Sequence, residues 1–528
     1  MKKTLLAIAI LAAGLAGAAG AQPPVRPFES DADPTAQCRI DELVLGRLHQ
    51  LGITPAKVCS DAVFVRRVYL DVLGTLPTAK EAWQFLKDPD PQKRSVLVDR
   101  LLNRDEFADY WAMKWCDLLR VKSEFPINLW PNAVQAYHRW IRTCVRDNVP
   151  YDRFVREMLT ASGSNFRVPQ VNFYRAVQSK EPQALAQAVA LSFMGVRPES
   201  WPKERWAAMG LFFSQLAFKP TIEWKEEIVL FDLEKAATAP AAKALQGAVF
   251  PDGTPAHLVA DKDPREVLAD WLIAPGNPWF ARNIANRVWA WLLGRGIVHE
   301  PDDLRPDNPP SNAELLAWLE KELVVAHYDL KHIYRVILNS KTYQLSHIPR
   351  TKDPKGEANF AYYPLRRLEA EVLIDAVCQI TGTTEQYSSP IPEPFTFIPE
   401  GERSIAMADA SITSPFLEKF GRSPRDTGLE SERNSRPTAA QRLHMLNSSH
   451  IRRKIEQSPQ LRALVESTPS AQETVHRLYL LILSRQATEE EMKIAKTLGQ
   501  GGNARMRMDA VRDLAWALIN SAEFSYRH

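Results

Sequence analysis

The same helical pattern occurs twice in this chain, once near each end. Residues 65–81 read VRRVYLDVLGTLPTAKE, and residues 475–491 read VHRLYLLILSRQATEEE. Aligned without a gap, the two stretches share the pairs Arg67/Arg477, Tyr69/Tyr479, Leu70/Leu480, Leu73/Leu483, Thr78/Thr488 and Glu81/Glu491. Each copy then leads through a helical stretch to a similar end, LLNRDEF at 101–107 and LINSAEF at 518–524. This repetition predicts a helical building block at both ends of the chain.

Each copy also carries a signal for the start of a helix. Thr78 with Glu81, and Thr488 with Glu491, have the spacing of a capping box. In this motif the hydroxyl and the carboxylate each accept a hydrogen bond from a backbone N–H that would otherwise lack a partner. The agreement of two signals at the same position of the repeat favours helices that begin beside Thr78 and Thr488.

Length and composition indicate a mainly α-helical protein of two domains. A chain of 528 residues is too long for one hydrophobic core. Proline is abundant (38) and glycine scarce (22), which argues against glycine-rich dinucleotide or phosphate folds. We expect a lead-in segment at 22–57, an N-terminal helical domain at 58–231, a linker at 232–262 and a C-terminal helical domain at 263–528. Minor β structure is expected near the linker, at Glu227–Phe231.

The first 21 residues have the features of a secretory signal peptide. Lys2 and Lys3 precede an apolar run from Leu5 to Ala19, and Ala19-Gly20-Ala21 forms a small-residue cleavage site. Cleavage after Ala21 would place the protein in the periplasm or outside the cell, and no later segment resembles a membrane span. The net charge of +3 carries no indication of nucleic-acid binding.

The five cysteines do not form a metal or haem motif. No CxxC or CxxCH occurs, so we expect neither a metal nor a cofactor. An oxidising compartment favours one disulfide, for which Cys38 and Cys59 are the candidates. Cys116, Cys144 and Cys378 fit free thiols in helices better.

Other short motifs favour structural roles. The chain has no P-loop, GxSxG, HExxH or EF-hand loop. Gly294 and Gly296 resemble a helix-ending turn, and Asp302-Asp303 resembles a capped turn rather than a metal site. His327 and His332 are five residues apart, which places them on different helix faces.

A carboxylate on an apolar helix face is the strongest candidate for a functional group. In residues 365–377, helical periodicity places Glu369 in the middle of the apolar face, and a buried carboxylate must be paired or neutral. Arg287, at the edge of the apolar face of 280–293, is the proposed partner, with Arg366 as the second choice. Arg367 and Glu371 are expected to form an exposed pair one turn apart.

A further polar cluster, Glu430-Ser431-Glu432-Arg433-Asn434, precedes a helix predicted to begin at Thr438. Its carboxylates could stabilise the N-terminus of that helix. Glu369, Arg287, Glu432 and Arg433 are therefore candidates for a catalytic or ligand site. The alternative is a buried network of ion pairs and caps that fixes helix packing.

Long stretches of the chain resemble two domains of unknown function. Residues 61–120 and NVPYDRFVREMLTASGS (148–164) resemble domain of unknown function 1549, which is common in planctomycete-type bacteria and cytochrome-c-associated. Residues 265–447 and the C-terminal repeat unit resemble its usual partner, domain of unknown function 1553. The resemblance implies that the protein is exported. It implies no particular reaction, because none is established for the family. Relatives often carry a CxxCH-type stretch after the segment that corresponds to Gly195–Arg197, whereas PESWP follows here.

Three functions remain open from the sequence. The first is a binding or scaffolding role at the cell envelope, toward a cell-surface polymer or an envelope protein. The second is a hydrolase-like enzyme with a polar site in the C-terminal domain. The third is an electron-transfer component that has lost its haem motif. A cleft open to water beside Glu369 and Glu432 would favour a ligand site over a purely structural network.

Overall fold

A computed structural model describes residues 27–236, 238, 248–259, 261–468, 470–498 and 504–528. The predicted signal peptide and part of the predicted linker lie outside these residues. Helices dominate the described chain, and the strands are few and short. No helix among the described residues has the length and apolar character needed to cross a membrane.

The helices of the N-terminal half run from α1 to α11. They are α1 (Arg39–Gln50), α2 (Asp61–Val72), α3 (Ala79–Lys87), α4 (Lys93–Leu102), α5 (Asp105–Leu118), α6 (Pro131–Arg146), α7 (Tyr151–Thr160), α8 (Asn172–Arg175), α9 (Pro182–Val189), α10 (Lys203–Gly210) and α11 (Leu233–Ala236). Helix α1 lies inside the stretch expected to be a lead-in segment.

The helices of the C-terminal half run from α12 to α25. They are α12 (Pro264–Ile273), α13 (Phe280–Leu293), α14 (Ala313–Val325), α15 (Leu330–Asn339), α16 (Lys355–Ala358), α17 (Ala370–Thr381), α18 (Pro415–Lys419), α19 (Ala439–Asn447), α20 (Ser449–Glu456), α21 (Pro459–Ser467), α22 (Ala471–Leu483), α23 (Glu489–Leu498), α24 (Ala504–Ile519) and α25 (Ala522–Ser525).

The strands form two small antiparallel sheets. In the first, β3 (Glu227–Phe231) lies between β1 (Gly163–Ser164) and β2 (Leu216–Pro220), with Phe218 opposite Val229. The strand expected at Glu227–Phe231 is thus confirmed. In the second, β4 (Arg366–Arg367) pairs with β5 (Tyr526–Arg527) at the C-terminus. This second sheet was not expected, and it determines where the polar residues of the site lie.

Helix boundaries agree with the local sequence signals in most places. Thr78 caps α3 in a complete capping box, and Thr488 and Glu491 exchange the same two hydrogen bonds before α23. Gly294 ends α13 with φ +75°, as the helix-ending turn requires. The cap of α14 is Asn312, which accepts a hydrogen bond from the backbone N–H of Leu315.

The two repeat units show helices in the same order. Helices α2–α5 follow one another in the first unit, and α22–α25 follow in the second. Each unit holds an arginine between two glutamates and above the repeated tyrosine. Arg104 contacts Glu81 and Glu106, 5.8 Å from the Tyr69 ring centre, and Arg485 contacts Glu491 and Glu523, 5.3 Å from that of Tyr479.

The arginine beside the repeated tyrosine, Arg104 in one unit and Arg485 in the other, comes from a different position of each repeat unit. One pair of repeated residues, Arg67 and Arg477, also differs in its surroundings. Arg67 is buried and donates to the carbonyl oxygens of Tyr343 and His528, whereas Arg477 is exposed and pairs with Glu473. Superposition of the two units remains a prediction.

The cysteines are all free thiols. The expected disulfide between Cys38 and Cys59 is wrong, because the Cys38 thiol, at the start of α1, lies 3.4 Å from the Asp41 carboxylate and donates to it. Cys59 is buried beside Arg94. Cys116 and Cys144 are buried and Cys378 is half-buried, which agrees with the expected free thiols in helices.

Candidate functional site

Glu369 lies at the junction between strand β4 and helix α17. The predicted helix over 365–377 begins only at Ala370, because Arg366 and Arg367 pair with Arg527 and Tyr526 as a strand. Glu369 therefore occupies the position just before the helix rather than the middle of a helix face. It is nevertheless buried, at 8% exposure, so the expectation of a buried carboxylate holds while its structural reason differs.

The charged partners of Glu369 come from the two ends of the chain. Lys114 of α5 donates to its Oε1 at 2.5 Å, and Arg527 of β5 donates to its Oε2 at 2.7 Å. The hydroxyl of Tyr110 donates to Oε2 at 3.1 Å. The partners proposed from the sequence, Arg287 and Arg366, are both wrong. A helix wheel relates only residues on one helix, whereas the observed partners, Lys114 and Arg527, belong to α5 and β5.

The two proposed partners have other roles. Arg287 is fully buried and pairs with Asp302 at 2.5 Å, while donating to the carbonyl oxygens of Leu191 and Ser192. Arg366 donates to the carbonyl oxygens of Trp291 and Leu292 at the end of α13. Both arginines fix backbone carbonyls that have no partner within their own helix.

Glu371 and Arg433 belong to a second buried charge network. Glu371 is fully buried, so the prediction of an exposed pair with Arg367 is wrong. Arg433 donates to both oxygens of Glu371, at 2.5 and 3.0 Å, and to Asp117 Oδ2 at 2.7 Å. Arg425 pairs with the other oxygen of Asp117 at 2.9 Å. Because this bidentate arrangement saturates the carboxylates, Arg433 acts first as a structural cation.

Glu432 does not face the same space as Glu369. Its Oε1 accepts hydrogen bonds from the backbone N–H groups of Asp426 and Thr427, so it caps a turn rather than the helix at Thr438. Burial raises the pKa of its carboxyl above the usual range, although the Thr427 backbone bond opposes this. Helix α19 instead has its own capping box, formed by Thr438 and Gln441.

A polar cleft of about 610 Å³ opens beside Glu369. Basic, acidic and uncharged polar side chains from both halves of the chain line it. The basic ones are Lys114, Arg295, Arg366, Arg367, Arg433, Arg436 and Arg527; the acidic ones are Glu300, Glu369 and Glu430; the others include Trp291, His299, Ser431, Asn434 and Ser435. Of the four candidates, Glu369 and Arg433 line this polar cleft, whereas Arg287 and Glu432 do not.

Two of the basic side chains carry charge that no described residue neutralises. Within the described ranges, Arg295 and Arg436 form no ion pair, and they are half-buried and exposed respectively. The other five basic side chains already donate to carboxylates or carbonyls. The polar cleft therefore presents two unpaired guanidinium groups beside five basic side chains that are already bonded, and this excess of positive charge attracts anions.

Two glutamates of the polar cleft, Glu369 and Glu430, have opposite protonation tendencies. Burial opposes ionisation of Glu369, but the charges of Arg527 and Lys114 outweigh it and hold the pKa of its carboxyl well below the usual value. For Glu430, burial dominates and raises the pKa, with Lys114 offsetting only part of the effect. The backbone N–H of Glu430 donates to Asp302 at 2.7 Å, which fixes this residue next to Arg287.

Sequence reasoning missed Lys114 and Arg527 as residues of the site, and it named Glu430 in the polar cluster before Thr438 without making it a candidate. A signal existed for Lys114, because α5 (DEFADYWAMKWCDL) is apolar on nearly all sides and cannot expose every polar residue. Arg527 gave none, since its role depends on strand pairing with Arg366. Among the described residues no cluster of three metal-ligating side chains occurs.

The fold and the polar cleft define a mainly α-helical protein with a cationic, water-accessible site. Comparison with known families gives a more specific identity. The family described as PSCyt2, protein of unknown function (DUF1549), matches residues 39–198. The family described as PSD1, protein of unknown function (DUF1553), matches residues 264–499. The chain belongs to the proteins that carry this pair of domains, as the resemblance indicated. No curated protein and no solved structure matches it.

Proposed function

We propose that this protein is exported and binds an anionic ligand, such as an acidic polymer of the cell envelope, in the polar cleft. The observation that carries the proposal is the pair of unpaired arginines, Arg295 and Arg436, at a cleft of about 610 Å³. Such a volume lies in the range of small-molecule and cofactor sites. Planar guanidinium groups suit carboxylate, sulfate and phosphate groups, because they can donate two parallel hydrogen bonds.

Binding is favoured over catalysis because Glu369 is fully occupied. Its two oxygens already accept hydrogen bonds from Lys114, Arg527 and Tyr110. A carboxylate held in this way is a poor nucleophile and a poor base, since each reaction would first break a buried ion pair. The same contacts make it an effective anchor for the cations that line the polar cleft.

A direct test measures binding of dextran sulfate and polygalacturonate by isothermal titration, with neutral dextran as the reference polymer. We expect binding of the two anionic polymers only, weakening as salt rises. Arg295→Ala/Arg436→Ala should abolish it. Arg452→Ala, which removes an exposed arginine of α20 that pairs with Glu456, is the matched control and should bind normally. Equal binding by the double variant would refute the proposal.

A hydrolase-like activity is the second candidate, and one observation favours it. Glu430 and Glu369 line the same cleft with pKa values displaced in opposite directions. In glycoside hydrolysis a carboxyl with a raised pKa serves as the general acid, a role that Glu430 could fill. Release of reducing ends from an acidic polysaccharide, lost in Glu430→Gln while binding persists, would support this function over binding alone.

The intact mass of the exported protein tests the proposed export. Protein recovered from the periplasmic or extracellular fraction should lack residues 1–21, because cleavage is expected after Ala21. Recovery of the full-length chain from the cytoplasm would contradict the proposed location.

A further inference from the structure

Three aromatic rings from three separate loops meet at the surface, away from the lining of the polar cleft. Trp130 immediately precedes α6, Trp224 lies in the turn between β2 and β3, and Phe395 lies in the loop after α17. The Trp130 ring centre is 6.4 Å from that of Trp224 and 5.8 Å from that of Phe395. Trp224 is 67% exposed and Phe395 is 54% exposed. We call these three rings the aromatic platform.

The platform is held in place by its own loops. Trp130 has φ +75° and Lys225 has φ +62°, a region that non-glycine residues seldom adopt. The Lys225 ammonium lies 5.5 Å from the Trp130 ring centre and 5.4 Å from that of Trp224, bridging the two indoles. Below them, Thr221 and Glu226 close the β2–β3 turn through a side-chain hydrogen bond of 2.8 Å. These contacts hold the loops that expose the rings to solvent.

The two exposed rings of the platform offer by themselves a small contact area for a protein partner. An aromatic side chain buries about 150–250 Å² in full. At the exposures of Trp224 and Phe395, the two rings offer on the order of 200–300 Å² together, against about 800 Å² on each side of a stable protein interface. Phe125, Ile222 and Phe397 are exposed on the same loops, but neither phenylalanine makes a ring contact with the platform among the described residues.

The charges around the platform disfavour a phosphate-rich partner. The same three loops carry Glu124, Glu223, Glu226 and Glu393. Of their lysines, Lys122 is already paired with Asp426 at 2.6 Å and Lys225 is engaged with the indoles. An anionic bilayer or a nucleic acid needs a basic surface, whereas the acidic residues of these three loops outnumber their lysines. A ligand with apolar faces and many hydroxyl groups suits exposed aromatic rings on loops that also carry carboxylates.

We propose that the aromatic platform binds a neutral saccharide chain, with sugar rings stacked on the exposed rings of Trp224 and Phe395, which both contact the half-buried Trp130, and with sugar hydroxyls donating to carboxylates of the same loops. This site does not depend on the polar cleft or on the function proposed for it. Stacking uses the apolar C–H face of a sugar ring against the electron-rich face of the aromatic ring. No bond is formed or broken, so the site serves attachment.

The experiment is native affinity electrophoresis of the full protein in gels that contain hydroxyethylcellulose or xylan. We expect retardation by at least one of these polymers. Trp224→Ala should weaken it about tenfold, the size of one good stacking contact. Trp83→Ala is the matched control, because Trp83 is also exposed and lies under a lysine, Lys87, but makes no ring contact with another described aromatic residue. It should migrate like the wild type.

Two further measurements make the outcome decisive. Phe125→Ser/Phe397→Ser should keep saccharide binding, since these side chains lie outside the three-ring contact. Sedimentation of the wild type with liposomes containing anionic lipid should show no Trp224-dependent binding. The proposal is overturned if no neutral polymer retards the protein, if Trp224→Ala and Trp83→Ala behave alike, or if Trp224 supports liposome binding instead.

Discussion

Replacing Glu369 by glutamine tests whether the polar cleft rests on a buried ion-pair network. The substitution keeps the shape of the side chain and removes its charge. Lys114, whose side chain is 7% exposed, then loses its only ion-pair partner among the described residues, because the glutamine oxygen still accepts a hydrogen bond but carries no charge. Arg527 is less affected, because Asp71 Oδ1 remains 3.1 Å from its Nε. The cost should therefore arise mainly from the stranded ammonium of Lys114.

The expected loss in the free energy of unfolding is about 3–5 kcal/mol, as for other broken buried pairs. An upper bound follows from the alternative open to Lys114, which is to release its proton. Moving a lysine from its usual pKa of 10.5 to neutrality at pH 7 costs about 5 kcal/mol, at about 1.4 kcal/mol per pKa unit. The penalty from this lysine cannot exceed that value, because deprotonation would then intervene.

Urea unfolding at pH 7, followed by circular dichroism, measures this loss. Glu42→Gln is the control, since Glu42 forms an exposed pair with Arg39 and should change stability by less than about 1 kcal/mol. Lys114→Met/Glu369→Gln should recover part of the loss, because the stranded charge is removed with its partner. If Glu369→Gln is as mild as Glu42→Gln, or if the double variant recovers nothing, the reasoning about Lys114 is wrong.

Three other results are expected. Burial lowers the pKa of His138 to about 3, so the folded state keeps this ring neutral, and its contribution to stability is complete above the unfolded pKa of 6.5 and falls by about 2 kcal/mol by pH 5. His138→Gln should abolish this loss in urea titrations at about pH 7.5 and 5. Thr78→Ala and Thr488→Ala should each cost about 1 kcal/mol through loss of a cap, measured in the same way. Gly421→Ala places a Cβ 1.9 Å from the Asn434 carbonyl oxygen at φ +81°, so it should destabilise the protein by more than about 1 kcal/mol, whereas Gly46→Ala, with nothing within 4 Å, should not.

Local features of the fold could be predicted because their causes lie within a few residues. The capping box at Thr78, the strand at Glu227–Phe231 and the glycine that ends α13 all depend on neighbours in sequence. The burial of Glu369 was also predicted, but from a helix that in fact begins one residue after it. These signals act over one or two helical turns, which is the range that periodicity and capping describe.

The pairing of charges could not be predicted in the same way. Lys114 and Glu369 are 255 residues apart, and Arg527 is 158 residues from Glu369. The error at Glu371 has the same origin, because a helix wheel that runs through 365–377 cannot show that β5 converts Arg366 and Arg367 into a strand. Once that strand forms, α17 begins later and its polar side faces Arg433 rather than solvent.

The distribution of these charges indicates that the two family regions cannot fold stably apart. Asp71, Lys114 and Asp117 lie in the region matched by DUF1549, and their partners Arg527, Glu369, Arg433 and Arg425 all lie in the second half of the chain. Each half alone would bury unpaired charges at several kcal/mol apiece or leave that surface open. We expect a fragment of residues 27–236 to show no cooperative urea transition by itself, and to regain one when co-expressed with residues 248–528. A fragment that unfolds cooperatively at the urea midpoint of the whole protein would show that these charges are not required for folding of the N-terminal half.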